Sequence, residues 1–225
     1  MGYFREIPDI EYQSPFNSRI SDSSYVLAKN IFKKMKIRDD LQDVFTIFNK
    51  YVIREGQRPD TLAEALYGKS DLDWIILISA GIINVRDEWP MSNHELYEYV
   101  VNKYTTNRLE STELEIQQAI SAVHHYETTE VKDDQGRLIL PKGKIVDSDY
   151  SIPNPSNKTL NLNPVTTVTN YEHEVNLNEA KREIFLLKPS YLQQFLLDFR
   201  QQMVYTKSSE FVNSRLIRTE NTRIQ

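Results

Sequence analysis

Three histidines are the side chains of this sequence that come nearest to a chemical motif. His124 and His125 are neighbours in the chain, and with His173 they offer imidazole nitrogens of the kind that bind metal ions. The residues around them predict a strand, on which adjacent side chains face opposite ways, so His124 and His125 are not expected to share one ion. The chain also lacks cysteine and any His-Glu-x-x-His motif. We therefore predict no metal site and interpret the histidines as packing or hydrogen-bonding groups.

Two adjacent carboxylates, Asp87 and Glu88, precede Trp89 and invite comparison with a glycosidase. Glycosidases place two carboxyl groups either about 5 Å or about 6.5–9.5 Å apart, on either side of a sugar. The side chains of neighbouring residues in one loop generally point apart, so Asp87 and Glu88 are not expected to face each other across a sugar. The sequence identifies no other carboxylate as the partner on the opposite side. Glycine-rich phosphate loops and the Gly-x-Ser-x-Gly motif are absent as well. The sequence therefore predicts no enzymatic activity, no catalytic residue and no cofactor.

Composition predicts a folded protein that contacts other proteins rather than nucleic acid or a membrane. Of the 225 residues, 40% are hydrophobic and 11% aromatic, which is enough to build a core. The net charge of −5 argues against sequence-independent nucleic-acid binding, which needs a basic surface. The longest apolar run, 74–83, is about half of the roughly 20 residues that cross a bilayer, so we expect a soluble protein. Its 13 tyrosines are typical of contact surfaces, although tyrosine also serves ordinary strands.

The stretch 49–104 predicts the compact core of the fold. A strand at 51–54 enters a turn, and Pro59 then opens a helix that Gly68 ends. A second helix follows and ends at Gly81. Strand, turn, helix, loop and helix is the order of a LysM module. The residues assigned to this LysM-like core are Tyr51, Gly56, Leu66, Tyr67, Gly68, Trp74, Leu77, Trp89 and Pro90.

The other residues predict three further regions. Residues 1–48 predict an N-terminal arm with short elements, and 105–204 predict a helix plus a β-rich C-terminal domain. This domain includes a loop rich in proline and asparagine at 147–164, and the polar residues 205–225 predict a flexible tail. The fold class is therefore α+β: a small LysM-like βαα core with an extended N-terminal arm, and a strand-rich C-terminal region followed by an amphipathic helix and tail.

Periodicity in the C-terminal domain predicts two strands and a helix. Val165 to Val175 alternates as a strand, and Arg182 to Leu187 predicts a second one. A helix that begins at Pro189 or Ser190 presents one apolar face. The residues of that face are Tyr191, Leu192, Phe195, Leu196, Phe199 and Met203.

Both ends of the chain carry residues that we expect to contact partner proteins. An arm with isolated aromatic side chains rarely folds alone, and a polar tail should be disordered by itself, so both should become ordered on neighbouring subunits. Limited proteolysis of the free protein should then remove both ends. The predicted contact residues are Tyr3, Phe4, Tyr12 and Phe16 in the arm and Phe211, Arg215 and Arg218 in the tail.

Several runs of residues resemble one protein family. Inside the core they are Tyr51 to Gly56, Arg58-Pro59-Asp60, Leu66-Tyr67-Gly68, Asp73 to Leu77 and Asp87 to Ser92. Together they resemble the LysM-containing baseplate wedge protein family of contractile-tailed, T4-like bacteriophages. Lys29 to Phe32 upstream and Asn178 to Ile184 downstream extend the likeness, which covers roughly Tyr3 to Met203.

This resemblance implies a structural role. A member of that family would be a virion protein of the tail baseplate, assembled in the host cytoplasm, and it would have no enzymatic activity. It would join wedge subunits to one another and to the hub, so its partners would be other wedge subunits and proteins near the hub or tube. The expected state is a hetero-oligomeric assembly without nucleic acid or membrane.

Two other functions are weighed against this one. LysM modules in many proteins bind N-acetylglucosamine polymers beside the first strand–helix loop, so the protein could bind peptidoglycan and help the tail engage the host wall. The groove residues would be Gly56, Gln57, Arg58 and Asp60. A wall-degrading enzyme is the other alternative, and it would need the carboxylate pair that the sequence does not supply.

Overall fold

The computed structural model of the chain describes residues 2–13, 25–35, 46–106, 108–157 and 159–219, and it confirms the predicted α+β class. The helices are α1 (Tyr3–Glu6), α2 (Pro59–Tyr67), α3 (Asp73–Ala80), α4 (Val85–Glu88), α5 (Asn93–Tyr104), α6 (Glu113–Ser121), α7 (Asn170–Ala180) and α8 (Leu192–Gln202). The strands are β1 (Asp9–Gln13), β2 (Tyr25–Lys29), β3 (Phe48–Val52), β4 (Val123–Thr128), β5 (Val131–Lys132), β6 (Leu138–Leu140), β7 (Ile145–Val146), β8 (Ile152–Pro153), β9 (Asn161–Leu162), β10 (Val165–Thr169), β11 (Glu183–Leu187), β12 (Phe211–Asn213) and β13 (Leu216–Arg218).

The chain divides into two compact units. Unit 1 comprises Met1–Trp89 and Glu183–Gln225, and unit 2 comprises Pro90–Arg182. Unit 1 is therefore built from both ends of the sequence, with the whole of unit 2 inserted between its two parts. The predicted core block 49–104 crosses this division, because its last residues belong to unit 2.

An antiparallel pair of strands, β3 and β11, closes the core of unit 1. Phe48 lies opposite Leu187, and Val52 lies opposite Glu183. Helix α3 packs against β11, helix α2 packs on α3, and both supply buried side chains to one continuous core. The sequence predicts β11 and both helices, whereas the strand predicted at 51–54 begins earlier, at Phe48, and ends at Val52. Local periodicity carries no information about which strand pairs with β3.

The ends of the two core helices follow from single residues. Pro59 occupies the first turn of α2, where its missing N–H costs nothing, and Gly68 ends the helix with a positive φ of 71°. Gly81 ends α3 in the same way, with a φ of 74°. Both stop signals were predicted, and both are confirmed.

Helix α8 contributes two aromatic rings, Phe195 and Phe199, to the same core. The ring of Trp74 lies 4.8 Å from that of Phe199 and 6.1 Å from that of Phe195, measured between centroids. Tyr3 adds a fourth ring, 5.6 Å from Trp74. The predicted amphipathic face of this helix is confirmed from Leu192 onward, whereas Tyr191 is 39% exposed and lies in the 3-10 turn, Pro189–Tyr191, that precedes the helix.

The two ends of the chain meet in a four-stranded sheet with the order β12-β13-β1-β2. Strand β1 pairs in parallel with β13, where Asp9 faces Leu216, and antiparallel with β2, where Asp9 faces Lys29. The expectation of a tail that is disordered by itself is therefore wrong for residues 205–219. The tail is polar, but β1 supplies the backbone hydrogen bonds that it could not form alone.

Unit 2 combines the helices α5, α6 and α7 with a three-stranded sheet of order β10-β4-β7. Its core comprises Leu96, Val100, Val101 and Ile120. The predicted strand from Val165 to Val175 ends early, at Thr169, and this part of the prediction is wrong. The hydroxyl of Thr169 accepts a hydrogen bond from the Glu172 backbone N–H at 3.2 Å, which forms an N-cap and starts α7.

The predicted loop 147–164 holds a short strand pair, in which Ile152 faces Leu162. Strands β5 and β6 form a short hairpin around Gly136, in which Val131 faces Leu140. Within the part of the chain that the structure describes, no helix has both the length and the apolar composition needed to span a membrane.

Replacing Trp74 by Ala should lower the free energy of unfolding by about 3–5 kcal/mol, because a buried ring that contacts three other aromatic rings is lost. Urea unfolding monitored by circular dichroism measures this. Ile83→Ala is the matched control in the same unit, since that side chain is 84% exposed and its loss should change the free energy by less than about 0.5 kcal/mol. Equal effects of the two substitutions would contradict the assigned core.

Candidate partner-binding and glycan-binding surfaces

The residues predicted as the LysM-like core take three kinds of position. Trp74 and Trp89 are buried, and Gly56 and Gly68 hold positive φ angles of 66° and 71°. Pro90 is buried and begins unit 2. Those that pack against the core of unit 1 while partly exposed are Tyr51, Leu66, Tyr67 and Leu77. The likeness of this block to a LysM module stays a prediction.

Gln57 holds the loop between β3 and α2 in place. Its side-chain oxygen accepts hydrogen bonds from the Tyr51 hydroxyl at 2.9 Å and from the Arg54 backbone N–H at 3.1 Å. Its backbone carbonyl accepts another from the Trp89 indole at 2.8 Å. The loop is thus fixed by contacts within unit 1.

The four predicted glycan-groove residues lie together on this loop, but they are not equally available. The side-chain oxygen of Gln57 already accepts hydrogen bonds from Tyr51 and Arg54, and Gly56 has only backbone atoms to offer a ligand. Arg58 forms a surface ion pair with Asp60 at 3.2 Å, a type of pair that contributes little to stability. Arg58 and Asp60 are consequently the side chains of the predicted groove that remain accessible, and glycan binding there stays a prediction.

Residues of the predicted N-terminal arm lie against unit 1. The ring of Tyr3 packs on that of Trp74, so Tyr3 belongs to the protein's own core. Phe4 is 62% exposed, and Tyr12 lies partly exposed on β1. Phe16 lies outside the described residues.

Residues of the predicted tail bind this same N-terminal segment. Arg218 forms an ion pair with Glu11 at 2.8 Å. Arg215 donates hydrogen bonds to the backbone carbonyls of Arg5 at 3.1 Å and Glu6 at 3.0 Å. Phe211 lies on β12, opposite Ile217. The two sets of predicted contact residues therefore contact each other within one chain.

A buried carboxylate, Glu6, links this sheet region to helix α8. Arg200 donates two hydrogen bonds to it, from Nε to Oε2 at 2.7 Å and from Nη2 to Oε1 at 3.0 Å. These hydrogen bonds lower the pKa of Glu6 despite its burial, and the positive charges of Arg200 and Arg215 lower it further. The bidentate geometry fixes α1 relative to α8.

Strand β2 and the turn that follows it carry a group of exposed apolar side chains. Leu27 on the strand is 62% exposed, and Phe32 in the turn that follows is 87% exposed. Their neighbours Val26 and Ile31 are exposed as well. Among the described residues, β2 is hydrogen-bonded on one side only, to β1.

The carboxylates of Asp87 and Glu88 have local structural partners. Glu88 accepts hydrogen bonds from the backbone N–H groups of Ile83 at 2.7 Å and Asn84 at 3.3 Å. Asp87 accepts one from the side chain of Asn84. Both carboxylates thus stabilise the turn that opens α4.

The histidines of unit 2 are placed differently from the prediction. His124, His125 and His173 lie together, and the rings of His124 and His173 stack with centroids 3.9 Å apart. The argument that His124 and His125 face apart is wrong here, because the β4–β10 register shifts between them: Val168 faces His125, whereas the next residue faces Val123. Burial, together with the neighbouring His124, lowers the pKa of His173.

Comparison with known families assigns the chain. It matches the family model described as base plate wedge protein 53 over residues 4–202 of its 225, and it therefore belongs to that family. A comparison with curated proteins finds no significant match. Membership confirms the resemblance seen in the sequence and gives a structural role in the phage tail baseplate, as a virion protein that associates with other baseplate components.

Glu6→Gln should destabilise the protein by about 1–2 kcal/mol near neutral pH, because it removes one charge of a hydrogen-bonded pair whose other member is partly exposed. The folded-state pKa of Glu6 is lowered from its ordinary value of 4.5, so the pair stabilises the fold above that pH. This contribution is lost as the pH falls through the lower folded-state pKa. Urea midpoints of the wild type and the variant should therefore converge in acid.

The matched control for this measurement is Glu64→Gln, at an exposed position on α2 in the same unit. Its urea midpoint should follow that of the wild type at every pH. A difference between the wild type and Glu6→Gln that stays constant from neutral to acid pH would contradict the assigned ion pair.

Proposed function

We propose that this protein joins neighbouring wedge subunits to one another and to the hub while the tail is assembled in the host cytoplasm. It acts by binding alone, without a catalytic step or a cofactor. The observation that carries the proposal is the outer edge of β2 with the turn after it, Tyr25 to Phe32, hereafter the β2 edge. Family membership supplies the class of partner, which is another baseplate component.

The β2 edge suits the addition of an extended segment from a partner. An edge strand presents unpaired backbone N–H and C=O groups that can continue the sheet with another chain. Apolar side chains beside it, such as Leu27 and Phe32, add the hydrophobic burial that makes such a contact stable. We infer that the occupant is an extended, partly apolar segment of a neighbouring wedge subunit.

The turn that follows β2 is held in place before any partner arrives. The backbone N–H of Asn30 donates to the Pro8 carbonyl at 2.9 Å, and its side-chain amide donates to the Tyr205 hydroxyl at 2.7 Å. Lys33 donates to the Val204 carbonyl at 2.7 Å. A surface fixed in this way loses little conformational entropy on binding, which favours affinity.

Peptidoglycan binding by the predicted groove is the second candidate, and the contacts of its loop do not favour it. The side chain of Gln57 is already bonded to Tyr51 and Arg54. A glycan would therefore find Arg58 and Asp60, which already pair with each other.

Sedimentation velocity of the full chain, mixed with the other wedge subunits of its own phage, tests the proposal. The wild type should enter a larger discrete complex. The double substitution Leu27→Glu with Phe32→Glu should weaken its entry about tenfold or more, which corresponds to about 1.4 kcal/mol. Ile83→Glu is the control, because that side chain is 84% exposed, close to the 87% of Phe32, and lies in the same unit but distant in sequence from the β2 edge.

Two outcomes would overturn the proposal. In one, the double variant enters the complex as readily as the wild type, which would remove the β2 edge from the interface. In the other, the wild type stays alone in every mixture and pellets with insoluble cell wall, which would make the loop at 55–60 a glycan-binding site.

A further inference from the structure

The three histidines of unit 2 form a cluster that the proposed function does not use. His124, His125 and His173 each offer a ring nitrogen, and these three atoms all lie within 4.8 Å of one another. Around a tetrahedral ion with bonds of about 2.0–2.1 Å, ligand nitrogens lie roughly 3.4 Å apart. The three nitrogens can reach one ion once the near-parallel rings of His124 and His173 turn apart, because a ring nitrogen binds a metal in the plane of its ring.

A β-bulge makes this convergence possible. Along β10, Val168 faces His125 and the next residue, Thr169, faces Val123, so His124 is the extra residue of β4. A bulge turns a side chain away from the regular alternation of a strand. The Nδ1 atoms of His124 and His125 consequently lie 2.9 Å apart, although the two residues are adjacent.

Helix α7 supplies the third ring. This helix starts directly after β10, with Thr169 as its N-cap, and His173 lies in its first turns. Its ring stacks on that of His124 at 3.9 Å with an interplanar angle of 10°. The same junction of β4, β10 and α7 therefore positions all three histidines.

Glu127 prepares His125 for coordination. It lies two residues further along β4, and its carboxylate lies 3.0 Å from His125 Nε2. A proton on Nε2 that is donated to this carboxylate leaves the lone pair on Nδ1, which lies 2.9 Å from His124 Nδ1. Metal-binding histidines commonly use this carboxylate–histidine arrangement to fix the tautomer and the ring orientation.

The cluster is accessible from solvent. His124 is exposed, and a pocket beside it is lined by His125, Ile145, Asp147 and Asp149 among others. An ion can therefore reach His124 and His125 from this pocket.

We propose that His124, His125 and His173 bind one Zn²⁺, or a similar divalent transition-metal ion that prefers imidazole ligands. This site is independent of the proposed role in joining wedge subunits. Three neutral nitrogen ligands without cysteine suit zinc, nickel or copper and do not suit Mg²⁺ or Ca²⁺, which prefer oxygen. The bound ion is coordinated by residues of both α7 and β4, and it therefore holds these two elements together and stabilises unit 2.

Isothermal titration of the full-length protein tests the site, after treatment with a chelator and without a histidine tag. Titration with ZnCl₂ should show one ion bound per chain, and titration with MgCl₂ should show none. Zinc should also raise the midpoint of thermal unfolding, because a ligand that binds only the folded state stabilises it.

Substitutions then locate the ion. His124→Asn, His125→Asn and His173→Asn should each weaken zinc binding by at least about tenfold, and Glu127→Gln should weaken it by about 10–100-fold through its effect on His125. His94→Asn is the matched control, since His94 is the remaining histidine and lies exposed on α5 of the same unit. Circular dichroism of each variant without metal checks that the fold is retained.

The zinc titration of the wild-type protein tests the proposal even if a variant does not fold. Absence of zinc binding by the wild-type protein would overturn the proposal. Undiminished binding by all three cluster variants would do the same, as would an equal loss of binding in His94→Asn.

Discussion

The pairing of β3 with β11 is the interaction on which unit 1 depends. These strands are separated in the sequence by all of unit 2, yet they lie side by side and complete the core formed by α2 and α3. Bringing the two strands together costs conformational entropy, because the loop between them is long. Burial of a continuous apolar core that includes Trp74, Leu186 and Phe199 offsets this cost. Because β11 leads directly into α8, the same pairing also delivers the aromatic face of α8 to Trp74.

A second closure builds on the first. Once α8 is in place, Arg200 can bind Glu6, and the residues after it return to pair β13 with β1. Both chain ends thus become parts of one sheet, whose outer strand β2 pairs, among the described residues, with β1 alone. If β2 receives a partner segment as we propose, its surface is formed before binding, and little conformational entropy remains to be lost.

Local features of this fold were predictable from the sequence, and long-range ones were not. Pro59, Gly68 and Gly81 mark helix ends through their own backbone preferences, so these boundaries were correct. The β1–β13 pairing depends on a partner far away in the chain, and a polar tail gives no sign of it. The histidine cluster was missed for a related reason: strand alternation assumes a regular register, and the β-bulge at His124 breaks it. The sequence identifies candidate contact residues at each end of the chain, but it does not predict that these residues contact each other.

Hydrogen–deuterium exchange of the free protein and of the wedge assembly tests the central claim most directly, namely that the chain ends form a sheet whose β2 edge receives a partner. In the free protein, amides of β1 and β13 should be protected along with those of β3 and β11, and the outer amides of β2 should exchange quickly. In the assembly, the β2 amides should become protected. Exchange of β1 and β13 at the rate of an unfolded peptide, while β3 and β11 stay protected, would contradict the account.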